Sequence, residues 1–357
     1  MSRFFSEKLE RLVPYTPGEQ PKDMNYIKLN TNESPFPPSP VAVELANRET
    51  LNYQLYSDPE CTPLVEYASE YFNVQRDEIL FTNGSDEILN FAFMAFCDKD
   101  HPAYFADITY GFYRVFAEIN CVPYEMIPLR KDFTVNVEDY VNKKGVIFIA
   151  NPNAPTGIAL PLSDIERIIV SNPQSVVVVD EAYVDFGADS SVSLVNKYDN
   201  LLVTQTFSKS RSMAGARLGF GISNKEIIRD LNTVKYSTNP YNVNRVTMAA
   251  GLGALKDDDY MRSNCESIVK TRERVKGVLS DMGFEMTPSV TNFLFVKHKK
   301  IGGELIYREL KDKGILVRHF NTDPLKDYNR ITVGTDKEMD ALIDAIGSIL
   351  EEENENN

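Results

Sequence analysis

The chain has 357 residues, 43% of them hydrophobic and 25% charged, with 18 Gly and 19 Pro, which excludes collagen-like, low-complexity and disordered classes. That length favours two lobes over one small core. A formal charge of -14 disfavours binding of nucleic acid or anionic lipid by long-range attraction, but leaves room for a phosphorylated small molecule held by a few local cations.

Along the chain, the N-terminal segment carries no long apolar region, and no later stretch approaches the ~20 apolar residues of a membrane helix. Cys61, Cys97, Cys121 and Cys265 lie far apart without a CxxC pair. They argue against a disulfide scaffold or zinc knuckle and for a reducing, cytoplasmic setting. His101, His298 and His319 have no spacing that suggests a metal site. Short β-rich runs are expected at 78–82, 103–108, 146–150, 175–179 and 201–206, with helical patterns at 85–97 and 163–170 between them. Unbroken apolarity, as in Val176–Val179, predicts strands covered on both faces. The fold class is therefore α/β: a mostly parallel sheet with helices on both sides. From Val246 the texture changes to a long charged helix over 257–278, apolar runs at 292–296 and 315–317, and helices near 303–313 and 337–350. The expected division is a large domain over 30–245 and a smaller α+β domain from 1–29 with 246–357. Its acidic tail, 351–357, is expected to be disordered.

Several segments carry chemistry at the ends of these strands. In Phe81-Thr82-Asn83-Gly84-Ser85-Asp86-Glu87 a strand, a glycine turn and a helix start succeed one another. Free N–H groups there make an anion site, with the Ser85 hydroxyl added. The Asp86 carboxylate would repel a phosphate, so its N–H is the expected contribution. In Asn151-Pro152-Asn153-Ala154-Pro155-Thr156-Gly157, two prolines and a glycine freeze a turn, and Asn153 offers donor and acceptor. A turn serving topology alone is the plainer reading. Asp180-Glu181-Ala182-Tyr183 puts a carboxylate at a buried strand's end, where it needs a cationic partner or serves as a helix cap. Tyr183 returns toward the same pocket.

The run Leu201–Lys209 places a lysine just past a buried strand, where open α/β sheets have their ligand crevice. Drying such a lysine favours the amine nucleophile, although a lone Ser208-Lys209 pair also describes a solvated loop. Eight residues on, Arg217 sits among small residues that let backbone approach a ligand, and its fork suits phosphate oxygens.

Together these segments resemble the fold type I pyridoxal-phosphate enzymes, and more narrowly the histidinol-phosphate aminotransferase family within the class II aminotransferases. The resemblance runs from Lys28-Leu29-Asn30-Thr31-Asn32-Glu33-Ser34-Pro35 to Arg330-Ile331-Thr332-Val333-Gly334-Thr335. It implies pyridoxal 5'-phosphate as cofactor, held by Lys209 as a Schiff base, with Lys209 then moving the substrate proton. Asp180 would keep the pyridine nitrogen protonated, Tyr183 would bond the phenolic oxygen, and Tyr110 would stack on the ring. Gly84, Ser85, Asp86, Ser208 and Arg217 would surround the phosphate. Tyr56 resembles a tyrosine that reaches the phosphate from a partner subunit, which implies a homodimer with shared active sites; nearby Tyr53 is the alternative. The family's asparagine before Pro-Thr-Gly is Ala154 here, so Asn153 is the candidate to compensate.

The same resemblance gives Arg330 an α-carboxylate, and Arg318 the far end of the substrate, with Tyr15 and Asn32 lining that end. It implies ping-pong exchange between an amino donor, histidinol phosphate or a related compound, and 2-oxoglutarate with glutamate. Two alternatives stay open: a broad aromatic amino acid aminotransferase, and a decarboxylase resembling threonine-phosphate decarboxylase. A nicotinamide dehydrogenase is disfavoured, since no GxGxxG follows the first strand.

Overall fold

The computed structural model describes residues 2–10 and 12–355. A short strand β1 (Ile27–Lys28) leads to helices α1 (Pro40–Glu49) and α2 (Thr62–Phe72). Pro40 opens α1 with a helix-ready φ, and the Ser39 side chain accepts from the Ala42 amide at 3.1 Å. The chain then runs through β2 (Ile79–Thr82), α3 (Ser85–Phe96), β3 (Ala103–Ala106), α4 (Phe112–Ile119) and β4 (Tyr124–Ile127). Next come β5 (Val146–Ala150), α5 (Leu162–Ser171), β6 (Val177–Asp180), β7 (Leu201–Thr206) and β8 (Gly219–Ser223).

These strands form one sheet in the order β2-β8-β7-β6-β5-β3-β4. The β5, β6 and β7 ladders are parallel, whereas β8 runs against both its neighbours, β2 and β7. The expected class holds. The run of valines is apolar throughout because each face meets a separate core. Val177 and Val179 pack with Leu64 of α2 and Ile165 of α5, while Val178 packs with Ile88 of α3 and Tyr113 of α4.

Three helices follow: α6 (Lys225–Thr238), α7 (Arg245–Lys256) and the long α8 (Asp258–Asp281). After them come β9 (Phe284–Met286), β10 (Phe293–His298), α9 (Gly303–Asp312), β11 (Ile315–Leu316), β12 (Arg318–His319), β13 (Asn329–Thr332) and α10 (Asp336–Glu355). Strands β12-β13-β10-β9 make an antiparallel sheet, and β1 pairs in parallel with β11. A further core gathers Leu29, Val275, Leu294, Ile331 and Leu342.

Two expectations need correction. Met248, Ala254 and Leu255 of α7 belong to the large sheet's core, so the change of core falls within α8 and not at 246. The tail expected to be disordered is helical over 351–355, because α10 continues without a break; Asn356 and Asn357 lie outside the described residues.

Helices α1 and α7 touch where Gly253 meets Ala42: a Cβ on Gly253 would lie 2.6 Å from the Ala42 Cα. Backbone cannot swing aside as a side chain can. Gly253→Ala should therefore destabilise the protein by about 1–3 kcal/mol, read from its urea midpoint. A variant as stable as the parent would mean that α1 shifts at no cost.

Candidate active site

Strand register gathers the site. Ala150, Asp180 and Thr204 are level across β5, β6 and β7. Thr206 and Thr82 both face Gly219 at the start of the antiparallel β8. The carboxyl ends of β2, β5, β6 and β7 therefore share one edge with the residues entering β8, the crevice position for open α/β sheets. One cavity on that edge is lined by Ser85, Asp86, Tyr110, Ala154, Asp180, Tyr183, Thr206, Ser208, Lys209 and Arg217. A second, of about 450 Å³, adjoins it; Tyr15, Asn32, Arg318 and Arg330 line it, and Tyr110, Ala154, Tyr183 and Lys209 are common to both.

Gly84 has φ +77°, open to glycine at little strain, and a Cβ there would lie 2.6 Å from Nη2 of Arg217. Gly219 is equally tight, because a Cβ would meet the Ser85 amide nitrogen at 2.3 Å. The two glycines let the start of α3 close over the arginine as a cradle. Arg217 donates to Asp86 at 2.9 Å, and the Tyr110 hydroxyl donates to the other Asp86 oxygen at 2.6 Å. The Asp86 carboxylate thus orients two side chains, a role beyond the N–H expected of it.

Lys209 extends its Nζ to the Thr31 carbonyl at 3.2 Å and lies 5.6 Å from the centre of the Tyr183 ring. That ring stands edge-on to Phe293. The Asn32 side-chain amide donates to the Tyr183 hydroxyl at 2.9 Å, which leaves the hydroxyl's own proton free to be donated onward. Asn32 is in turn fixed by Thr332, which takes the Asn32 amide and donates to its side-chain oxygen.

One expectation changes at the site. Asn153 is buried, but its amide nitrogen donates to the Ile108 carbonyl and to Thr156, while its oxygen accepts from Thr109. Both of its donor hydrogens are used inside the turn, and Ala154 lines the cavity instead. Tyr56 is 80% exposed and stacks on Tyr241 with centroids 4.6 Å apart, away from its own chain's cavity. One site residue was not anticipated. Tyr113, fully buried on α4, donates its hydroxyl to Asp180 at 2.9 Å. Its helical spacing from Tyr110 and its aromatic character read as core packing, and only the nearness of a strand end could have singled it out.

A family model described as aminotransferase class I and II matches residues 24–346. The chain is 48% identical to the histidinol-phosphate aminotransferase of Brachyspira hyodysenteriae over 352 residues, 98% of this chain and 99% of that protein. It is 44% identical to the Clostridium acetobutylicum enzyme of the same name over 347 residues, 97% and 99% of the two chains. This chain belongs to the class I and II aminotransferases. Its fold matches a crystal structure of histidinol-phosphate aminotransferase from Sinorhizobium meliloti in complex with pyridoxal-5'-phosphate. That likeness has a TM-score of 0.90 and 23% identity, with 99% of each chain covered.

The residues of this aminotransferase fit pyridoxal phosphate on their own chemistry. An arginine cradle and a helix start at one end of the cavity suit a phosphate, and a desolvated carboxylate at the other suits a protonated ring nitrogen. Burial pushes the Asp180 carboxyl up to about 6, against the pull of the Tyr113 hydroxyl. In the adjoining cavity, Arg330 donates to the Asn30 carbonyl at 3.0 Å, while its Nε is buried without a partner. Burial lowers its guanidinium below the ordinary value, with Arg318 adding repulsion, and a bound carboxylate would relieve both. Arg318 reaches the Pro17 and Thr16 carbonyls at 3.3 and 3.4 Å. Tyr15 stacks on Phe112 at 4.3 Å.

The raised Asp180 carboxyl fixes a pH dependence for the cofactor-free protein. The folded value lies above the ordinary carboxyl value of 3.8, so between about 4 and 6 the folded chain keeps a proton that the unfolded chain releases. The associated stability is complete below the unfolded value and is lost as pH rises through the folded one. Wild type should lose roughly 2–3 kcal/mol more than Asp180→Asn between pH 3.5 and 7.5, measured by urea unfolding. Parallel pH profiles for the two proteins would show that Asp180 ionises normally.

Proposed function

We propose that this chain is a histidinol-phosphate aminotransferase working with pyridoxal 5'-phosphate, 2-oxoglutarate and glutamate. The observation that carries the reading is that Lys209 and Asp180 line one cavity together with the Arg217 over which Gly84 closes. Near-full-length identity to two proteins of that name supports the substrate. When bound, the cofactor supplies an aldehyde for covalent attachment of amines, and a ring that accepts the electron pair left when the substrate Cα loses its proton.

The chain's residues supply the rest. Lys209 Nζ would hold the cofactor covalently and, once displaced by the substrate's amine, would carry the proton from the substrate Cα to the carbon that began as the cofactor's aldehyde. Asp180, held by Tyr113, keeps the ring nitrogen protonated. Tyr183, oriented by Asn32, donates to the phenolic oxygen, with no second donor from Ala154. Tyr110, which lines the same cavity, would stack on the ring. The Ser85 and Ser208 hydroxyls, the first amides of α3 and Arg217 bind the phosphate.

At the substrate end, Arg330 takes the α-carboxylate of glutamate or 2-oxoglutarate. Arg318 takes the second carboxylate or the phosphate of histidinol phosphate, with Tyr15 beside it. Two cations thus serve two substrates in turn. The reading includes a homodimer in which Tyr56 completes the partner's phosphate site. Tyr56 is one of several exposed apolar side chains there, with Leu51, Tyr53 and Leu55, and such a patch suits an interface. A cytoplasmic location accompanies it; among the described residues no helix is long and apolar enough to cross a membrane. The large lobe binds cofactor, and the smaller one brings Arg318 and Arg330 to the substrate.

The substrate test offers purified holoenzyme histidinol phosphate, phenylalanine, tyrosine and threonine phosphate with 2-oxoglutarate, scoring glutamate and carbon dioxide separately. Glutamate from histidinol phosphate is expected; carbon dioxide without a need for the keto acid would make it a decarboxylase. Lys209→Ala should cut turnover by more than about 10⁴-fold and remove the borohydride-fixed label from position 209. Normal turnover would rule that role out. Arg330→Ala should raise KM for glutamate and 2-oxoglutarate by about 10–100-fold, and affect histidinol phosphate, which has no carboxylate, far less. Equal effects on all three would discard the carboxylate assignment.

A further inference from the structure

Lys209 sits on a closed turn rather than on the sheet itself. Strand β7 ends at Thr206, and the turn is shut by the Met213 amide donating to the Phe207 carbonyl at 3.0 Å and the Ser212 amide donating to that of Lys209 at 3.3 Å. The three side chains after the lysine are all tied down. Ser210 donates to Asp185, and the Ser212 hydroxyl donates to that of Ser34 at 2.8 Å. Ser212 has φ +57°, a conformation that a side chain tolerates only where its surroundings impose it.

Between them Arg211 points away from the cavity into protein and is only 9% exposed. Its guanidinium donates to the Ala254 carbonyl in α7 at 2.8 Å, to the Tyr71 hydroxyl on α2 at 3.2 Å and to Asp258 at the start of α8 at 3.1 Å. The Tyr71 hydroxyl itself donates to the same Asp258 oxygen at 2.6 Å. The cation also lies 5.5 Å from the Tyr71 ring centre and 5.7 Å from that of Phe207, the first residue of the turn. Three helices thus converge on one buried charge two residues from the lysine.

We propose that Arg211 is a positioning residue for Lys209: its buried contacts to Tyr71, Asp258 and Ala254 fix the turn so that Nζ stays between Tyr183 and Thr31. A buried cation with a charged partner and fixed acceptors has few alternative arrangements and joins three helices to the turn, whereas Ser210 and Ser212 each reach one side chain. Reaction geometry is sensitive to displacements well below the length of a side chain. Neither Arg211 nor Tyr71 lines the cofactor or substrate cavity, so any effect on chemistry must pass through the turn. The inference rests on Lys209 as the cofactor lysine.

The test compares the holoenzymes of wild type, Arg211→Met, Arg211→Lys and Tyr71→Phe. Arg211→Met should lower kcat about tenfold while KM changes less than about twofold. It should also move the pH midpoint of the visible absorption band, and in the cofactor-free protein it should speed hydrogen exchange at 207–213. Arg211→Lys, which keeps the charge but not the fork, should recover part of each change. Tyr71→Phe removes only the bridging hydroxyl and should lower kcat about threefold, so the proposal stays testable should Arg211→Met fail to fold. A lower melting temperature with unchanged kcat and pH midpoint, in either variant, would overturn the proposal and leave Arg211 a fold-stabilising residue. Borohydride mapping of the wild type separates the two ideas: a label at 209 leaves only the proposal at stake, and no label there removes the lysine assignment beneath it.

Discussion

A carboxylate at the end of a fully enclosed strand has few ways to stay ionised, and Asp180 has been given only part of what it needs. Tyr113 donates one hydrogen bond and the Ala182 amide another at 3.3 Å, yet burial still outweighs them. No cation bonds to it among the described residues, so its charge is fully favoured only when a positive group arrives in the cavity. Glu181, the next residue, is equally buried and is also pushed up, to about 7, but it faces the other way. Ser190, the Ser191 amide and Gln205 occupy its oxygens. Of two adjacent buried acids, one is satisfied by the fold and the other is left lining the cavity.

Distance between the charges then follows from the sheet. Asp180 ends β6, two strands from β8, and Arg217 lies just before β8, where Gly84 closes over it. An acceptor for a cation and a cradle for an anion are therefore held apart by strand spacing, with the lysine on the turn after the intervening β7. Reversal of β8 is what makes this possible. A parallel strand in its place would carry its entering residues to the far edge of the sheet, and the arginine with them.

Much of this was legible in the chain because the chemistry sits at the ends of buried apolar runs. Lys209, Asp180 and Ser85 could each be placed by counting from a strand, and Arg217 by its distance from the lysine. Strand β8 itself escaped, since Gly219-Phe220-Gly221-Ile222-Ser223 has two glycines where a strand former is expected; they are there because α3 and Leu202 crowd that surface. Asn153 misled because side-chain type shows what it can bond but not which way the turn points it. Tyr113 and Arg211 were invisible for a different reason. Each acts by burying a polar end against a partner distant in sequence, and only three-dimensional packing reveals such pairs.

The polar groups of the site divide into those already satisfied and those waiting. Arg217 rests on Asp86, Lys209 on the Thr31 carbonyl, and Arg318 on two carbonyls of the N-terminal segment. A ligand that meets these groups must exchange one partner for another, so its net gain there is modest. Asp180 and the Nε of Arg330 hold no such full complement, and burial has charged the fold for that in advance. Incoming groups of opposite sign gain most at those two points. The difference gives the cavity a direction: a cation is drawn to the floor at Asp180, a carboxylate to the wall at Arg330, and Lys209 lies on the boundary that the two cavities share. In a chain whose net charge is -14, this pattern is local and does not follow from the overall field.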